Sequence, residues 1–215
     1  MAKDAAASER GIGLGSSGAE IGLSMKLRSF GPNQSVRRIL DAALDTLARQ
    51  GLQSLSMTDV CRAAGVARGT LYRYFPTKES LLEGIGEQVR EHFEQGLKEA
   101  CAKGESGKDR FQAVIEFLVV YSRSTRGDRL LEVEPAFVLQ FLARNMKHYS
   151  EIMADALRPF FEEIQARTGG EVHDTAWAEL ILRTNLSFFL IEPYAGGPDL
   201  LEELQHLLHF LTESE

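Results

Sequence analysis

Apolar residues recur three and four positions apart through almost all of the chain beyond Asn33, which is the spacing of one face of an α-helix. The segment that follows Asn33 is the clearest case, with this stripe: Val36, Ile39, Leu40, Ala43, Leu44 and Leu47. Alternating patterns of the kind that favours strands are almost absent. The sequence therefore predicts an all-α fold.

Capping residues divide this pattern into about nine helices. Asn33 or Ser35 can begin the first helix, and Gly51 can end it. Ser56 can begin a short second helix that ends at Gly65. A third helix is predicted from Ala67 to Phe75, and the others begin at Thr77 or cover about 109–126, 135–167, 173–191 and 198–212, with a turn of helix near Leu130 and a loop over 102–108.

The third predicted helix has two chemically different faces. At 100° per residue, one face carries Ala67, Leu71, Tyr74 and Phe75, which we expect to pack on the two preceding helices. The opposite face carries Gly69, Tyr72 and Arg73, with Arg68 and Thr70 at its sides. Two short helices joined by a tight glycine turn are typical of a helix-turn-helix.

The outward residues suit nucleic-acid contact. An arginine can donate two hydrogen bonds to guanine, and threonine or tyrosine hydroxyls suit phosphates or base edges. Lys78 lies in the first turn of the next helix, where an ammonium and a helix N-terminus can bind one phosphate together.

Charge is distributed unevenly along the chain. The net charge is −7, yet residues 26–90 contain ten Lys and Arg against six Asp and Glu. Residues 91–215 contain 12 against 22. A basic segment beside an acidic one favours contact with a polyanion at one end of the protein only.

The segment from Arg37 to Ile85 closely resembles the DNA-binding domain of the tetracycline-repressor (TetR) family of bacterial transcriptional regulators, above all in "GTLYRYFPTKE". The resemblance implies a three-helix DNA-binding domain over 34–80 and a larger helical domain for effector binding and dimerisation over 81–215. It also implies that the third helix enters the major groove of double-stranded DNA. By resemblance, Thr58, Thr70, Tyr72, Lys78 and Arg37 contact the DNA backbone, whereas Arg68 and Arg73 read bases. Gly69, which is costly inside a helix, fits a position where the backbone approaches the DNA closely.

The larger domain is expected to form a homodimer. In the family, the last two helices pair with those of a second subunit, and the stripe Leu200, Leu204, Leu207 and Leu211 supports such a surface, together with Leu180 and Phe188. A symmetric dimer would present two recognition helices to a palindromic operator.

The resemblance further implies a pocket for a small, largely apolar effector of unknown identity, whose binding releases DNA. The candidate walls are Phe93, Phe111, Phe117, Tyr121, Phe137, Phe141, Trp177 and Phe188, and the candidate polar anchors are Arg144, Asn145 and His148. Core packing is an alternative role for each aromatic residue. The alternative function is a DNA-binding protein that responds to no effector.

Other function classes find little support in the sequence. No apolar run reaches the length of a membrane span, and two cysteines fit a cytoplasmic protein better than a disulfide scaffold. We find no pattern typical of an enzyme or a cofactor site. His206 and His209 could share a zinc ion, but no third ligand is evident, so no metal is predicted. Residues 1–33 are expected to be a mobile tail.

Overall fold

The computed structural model describes residues 34–122, 125–191, 202–203 and 206. Within those ranges the chain forms eight helices and no strand, so the all-α prediction is confirmed. In chain order they are α1 (Gln34–Ser54), α2 (Met57–Ala64), α3 (Arg68–Tyr74), α4 (Lys78–Cys101), α5 (Gly107–Ser122), α6 (Thr125–Val133), α7 (Pro135–Thr168) and α8 (Asp174–Leu190). No helix of this described part is both long and apolar enough to cross a bilayer. The tail over 1–33 and most of the helix predicted over 198–212 lie outside the described residues.

The first helix differs from its prediction at both ends. It continues to Ser54, beyond the predicted stop at Gly51. Gly51 interrupts the helix with a kink (φ 77°, ψ 170°), and the helical path resumes after it. Ser35 lies inside the helix rather than capping it, and Asn33 falls outside the described residues. The turn of helix predicted near Leu130 is the nine-residue helix α6.

Two apolar clusters hold the helices together. We call residues 34–80 the head and the described residues from 81 onward the body. The head cluster joins α1, α2, α3 and the start of α4, through Ile39, Leu40, Ala43, Leu47, Leu55, Val60, Leu71, Phe75, Leu81 and Ile85. The body cluster joins α4, α5, α7 and α8, through residues such as Phe93, Leu97, Phe111, Val114, Leu118, Met153, Leu157, Phe161 and Leu182.

Helix α4 contributes to both clusters, and two of its glycines allow aromatic rings to approach its backbone. A Cβ added to Gly84 would lie 2.7 Å from the ring of Phe75, which belongs to the head. A Cβ added to Gly96 would collide with the ring of Phe117 on α5. Larger residues at either position would therefore push α4 away from a packed ring.

Candidate nucleic-acid interface

Local capping fixes the position of α2 in the head. The hydroxyl of Ser56 accepts a hydrogen bond from the Asp59 amide at 3.1 Å, which confirms the predicted N-cap. Gly65 ends the helix in the left-handed region with φ 62°. Arg38 on α1 donates to the Ala64 carbonyl at 2.8 Å and satisfies one of the unpaired carbonyls at that helix end. The capped ends thus tie α2 to α1 and to the turn that leads into α3.

The inner face of α3 is apolar and buried. Leu71 is completely buried, Phe75 is buried, and Tyr74 is half-buried, all within or against the head cluster. Ala67 was expected on this face, and that prediction is wrong, because Ala67 is exposed. Its extended backbone (φ −68°, ψ 147°) places it before the first helical turn, where a projection at 100° per residue no longer applies. Its side chain makes no capping hydrogen bond, as expected for alanine at this position.

The outer face of α3 is exposed and cationic. Arg68, Gly69 and Arg73 are exposed, Tyr72 is 44% exposed, and Thr70 is half-buried. A Cβ built on Gly69 would have no atom within 4 Å, so the protein's own packing does not require glycine there. Helix α3 carries no acidic side chain. This face is therefore open to a large anionic partner.

Two contacts orient the arginines on this face. Arg68 donates to the hydroxyl of Thr58 at 2.6 Å, which joins the start of α3 to α2. The guanidinium of Arg73 lies 4.9 Å from the centre of the Tyr74 ring and donates to its hydroxyl at 3.3 Å. The sequence predicted Thr58 and Arg68 as separate contacts, and the structure brings them together as one polar pair.

The start of α4 adjoins the same surface. Thr77 and Ser80 form a capping box in which each side chain accepts from the other's amide, at 3.1 Å in both directions. The ammonium of Lys78 donates to the carbonyl of Leu52 at the end of α1. Arg37 is half-buried on α1. Because an ammonium has three donor hydrogens, Lys78 can bind Leu52 and a further acceptor at the same time.

Part of this arrangement matches a known protein family. Residues 39–85 match the family model described as bacterial regulatory proteins, tetR family. These residues are therefore similar to the tetR family over about a fifth of the chain. The match covers α2, α3 and most of α1, together with the first turns of α4.

Individual relatives agree with this match. An HTH-type transcriptional regulator of Bacillus subtilis named YvdT is 32% identical over 82 residues, which are 38% of this chain and 40% of the relative. The chain thus spans only about half, or less, of the length of the curated relatives it matches.

Solved structures extend the likeness to the fold of the body. The fatty acid degradation regulator FadR from Bacillus halodurans has a TM-score of 0.65 at 16% identity, covering 85% of this chain and 96% of its own. The FadR structure from Bacillus subtilis in complex with stearoyl-CoA has a TM-score of 0.56 at 22% identity, and the match covers 82% of this chain and 97% of the FadR chain. At these identities the likeness establishes the fold alone.

The structure brings together only part of the predicted effector-pocket set. Phe93 forms the centre of a ring cluster in the body, with ring centres 5.5 Å from Phe117, 5.3 Å from Tyr121 and 4.7 Å from Tyr149. Phe111 pairs instead with Phe160 at 4.4 Å. Phe137 packs against the head cluster, and Phe141 lies against Gly86 on α4.

Two of the three predicted polar anchors face α4, and the third is exposed. His148 contacts the carboxylate of Glu94 at 2.8 Å, and Asn145 accepts from Arg90 at 3.2 Å, so both face α4. Arg144 is exposed. Tyr121 donates to the Val89 carbonyl at 3.2 Å, and burial raises its pKa to about 12. Burial also raises the pKa of Tyr149.

One buried polar residue was not predicted from the sequence. Asn185 is 6% exposed, and its amide nitrogen has no hydrogen-bond partner among the described residues. It lies on the buried stripe of α8, one turn beyond Ile181 and Leu182. A single asparagine in an apolar helix gives a weak sequence signal, although its spacing from Ile181 already placed it on the buried side.

Helix α8 also has an exposed apolar stripe. Trp177 is 49% exposed and Leu180 is 53% exposed, whereas Phe188 is half-buried. Trp177 was predicted as a pocket wall, but helical spacing places it beside Leu180, on the side opposite the buried Ala178 and Leu182. The remaining predicted dimer residues (Leu200, Leu204, Leu207 and Leu211) lie outside the described residues.

The two histidines considered for a zinc site are His206 and His209. His209 lies outside the described residues, and His206 is exposed. Within the part of the chain described, no cluster of three or more potential metal ligands occurs.

Proposed function

We propose that the protein is a transcriptional repressor that inserts α3 into the major groove of operator DNA. The observation that carries this proposal is the division of α3 into two faces. Leu71 and Phe75 fix one face in the head cluster, while Arg68, Tyr72 and Arg73 leave the other face exposed and cationic. A helix held by its buried face, with exposed arginines on the other face, is the arrangement that direct base readout requires.

The candidate residues divide into two classes of DNA contact. Arg68 and Arg73 read base edges, because a guanidinium can donate two parallel hydrogen bonds to guanine. The backbone contacts come from a second set: Arg37, Thr58, Thr70, Tyr72 and Lys78. Gly69 lets the DNA approach the helix closely, since no neighbour within the protein occupies the space beside it. In this proposal residues 34–80 form the DNA-binding domain.

The regulator acts as a homodimer in this proposal. The exposed stripe of α8, which contains Trp177 and Leu180, supplies the described part of the interface. Such a stripe is costly to leave in water, and a two-fold axis through it would place two heads on one DNA face. The operator is then a palindrome with half-sites separated by about one helical turn.

The body, residues 81–215, binds a small and largely apolar effector that weakens DNA binding. The support is the aromatic cluster around Phe93, together with the buried amide nitrogen of Asn185, which has no hydrogen-bond partner among the described residues of the body. A neighbour of similar fold was solved with stearoyl-CoA, a ligand with a long apolar chain. The effector releases DNA if it binds more tightly to a conformation in which the two heads are wrongly spaced.

Selection of duplexes from a random pool with the full chain tests this function. The expected result is an inverted repeat, bound by two chains, that the Arg73→Ala variant no longer prefers. Enrichment of no sequence at all would contradict the proposal. Specific binding that no acyl-CoA or other apolar compound weakens would instead support the alternative, a repressor without an effector.

A further inference from the structure

Both main-chain polar groups of Leu52 are bound by charged side chains from distant parts of the sequence. The Leu52 amide donates to Oε1 of Glu134 at 2.5 Å, across 82 residues of sequence. The Leu52 carbonyl accepts from the ammonium of Lys78, across 26 residues. A carboxylate and an ammonium thus hold adjacent peptide groups at the end of α1, and charge-assisted bonds of this kind are stronger than neutral ones. We call Glu134, Leu52 and Lys78 the Leu52 clamp.

The kink at Gly51 makes this clamp possible. Its φ of 77° lies in a region that favours glycine, and the conformation interrupts α1 immediately before Leu52. A Cβ on Gly51 would lie 2.7 Å from Oε1 of Glu134 and 3.3 Å from Cγ1 of Val133. Glycine is therefore required twice, for the backbone conformation and for the space that the carboxylate occupies.

The two charged members of the clamp come from different parts of the fold. Glu134 is the single residue between α6 and α7, and it is the N-cap residue of α7. Lys78 is the first residue of α4, next to the exposed face of α3. The clamp therefore connects the α6–α7 junction of the body with the edge of the surface to which we assign DNA contact.

We propose that Glu134 is a positioning residue for DNA binding: by holding Leu52, it fixes the carbonyl that orients the ammonium of Lys78 toward a DNA phosphate. This inference rests on the proposed DNA-binding function. One hydrogen of the ammonium is used on Leu52, and the other two remain for phosphate oxygens. Without Glu134 the Leu52 amide loses its acceptor, the end of α1 loosens, and Lys78 loses its fixed direction.

The direction in which DNA affinity changes when Glu134 is replaced distinguishes a positioning role from a purely electrostatic one. Glu134 is an anion near a DNA-binding surface, so removing its charge alone should tighten binding to DNA or leave it unchanged. We expect Glu134→Ala to weaken binding about tenfold, because the contact of Lys78 with phosphate is then lost, and this contact is comparable to one charge-assisted hydrogen bond. Glu134→Gln retains an acceptor oxygen, so it should bind at least as tightly as the unmodified chain. Glu132→Ala removes an exposed carboxylate from the neighbouring helix α6 and is the matched charge control.

The experiment measures fluorescence anisotropy of a mixed-sequence duplex of about 24 base pairs at several salt concentrations. Loss of one phosphate contact lowers the slope of log K against log salt by about 0.9. Glu134→Ala and Lys78→Ala should each show this smaller slope, and adding Glu134→Ala to Lys78→Ala should change the affinity less than twofold. Glu134→Asp keeps the charge but shortens the side chain by one methylene, so it should bind DNA as weakly as Glu134→Ala does. If Glu134→Ala does not fold, Glu134→Asp is measured in its place.

Other results would overturn the inference. It is wrong if Glu134→Ala and Glu134→Asp bind DNA as the unmodified chain does, if the slope stays the same, or if the effects of Glu134 and Lys78 add fully in the double variant. Failure of the unmodified chain to bind any duplex at low salt would overturn the proposed function itself. The two failures are distinguishable, because only the second appears without any substitution.

Discussion

Two adjacent residues of α3, Leu71 and Tyr72, should respond in opposite ways to truncation. Leu71 is completely buried in the head cluster, whereas Tyr72 is 44% exposed on the other face. Leu71→Ala removes apolar atoms from a closed core and leaves a cavity, at a cost of about 3 kcal/mol in the free energy of unfolding. Helix propensity does not complicate the comparison, because leucine and alanine are both strong helix formers.

Tyr72→Ala should leave stability within about 0.5 kcal/mol of the original value, because the side chain lies outside the buried core and alanine favours a helix. Its effect should fall on DNA affinity, through loss of a hydroxyl that contacts the backbone. Urea unfolding followed by circular dichroism measures the first effect, and anisotropy of a bound duplex measures the second. The assignment of faces would be refuted if Leu71→Ala lowered the free energy of unfolding by less than about 1 kcal/mol. It would also be refuted if Tyr72→Ala lowered it as much as Leu71→Ala does.

Three further predictions follow from individual residues. Gly69→Ala should stabilise the chain by about 0.5–1 kcal/mol in thermal unfolding, because the added methyl meets no atom, yet it should weaken DNA binding if the backbone approaches DNA there. Since burial raises the pKa of Tyr121 to about 12 in the folded state, the unfolded state ionises first as the pH rises above about 10. Stability should therefore fall between about pH 10 and 12, and comparison of melting temperatures should show a smaller fall for Tyr121→Phe. Asn185→Leu removes a buried amide whose nitrogen has no partner among the described residues, so urea unfolding should show stability unchanged or raised by about 1 kcal/mol, and a loss of more than about 2 kcal/mol would mean that the amide is paired.

Local features of the head could be predicted from the sequence. The caps at Ser56 and Thr77 depend on residues three positions apart, and the burial of Leu71 and Phe75 follows from helical spacing alone. The resemblance supplied the family through the same short segment. Ala67 was placed wrongly because the helical projection was carried one residue beyond the helix.

Contacts between distant segments could not be predicted. No sequence pattern relates Glu134 to Leu52, because the bond depends on the kink at Gly51 and on how α6 meets α1. The sequence placed Lys78 correctly at a helix start, but it did not reveal that Leu52 already holds its ammonium. The exposure of Trp177 was missed because aromatic character was taken as a sign of the pocket, whereas its spacing from Leu180 indicated the exposed stripe.

The central claim is that the outer face of α3 recognises a DNA sequence. The most direct test compares the affinities of the full chain for its selected duplex and for a scrambled duplex of equal length, at one salt concentration. We expect the selected duplex to bind at least about 1,000-fold more tightly. Arg68→Ala, which removes the guanidinium held by Thr58, should lower that ratio by roughly tenfold or more, because a bidentate base contact contributes about 1–3 kcal/mol of discrimination. Equal affinity for the two duplexes, or an unchanged ratio in Arg68→Ala, would contradict the account.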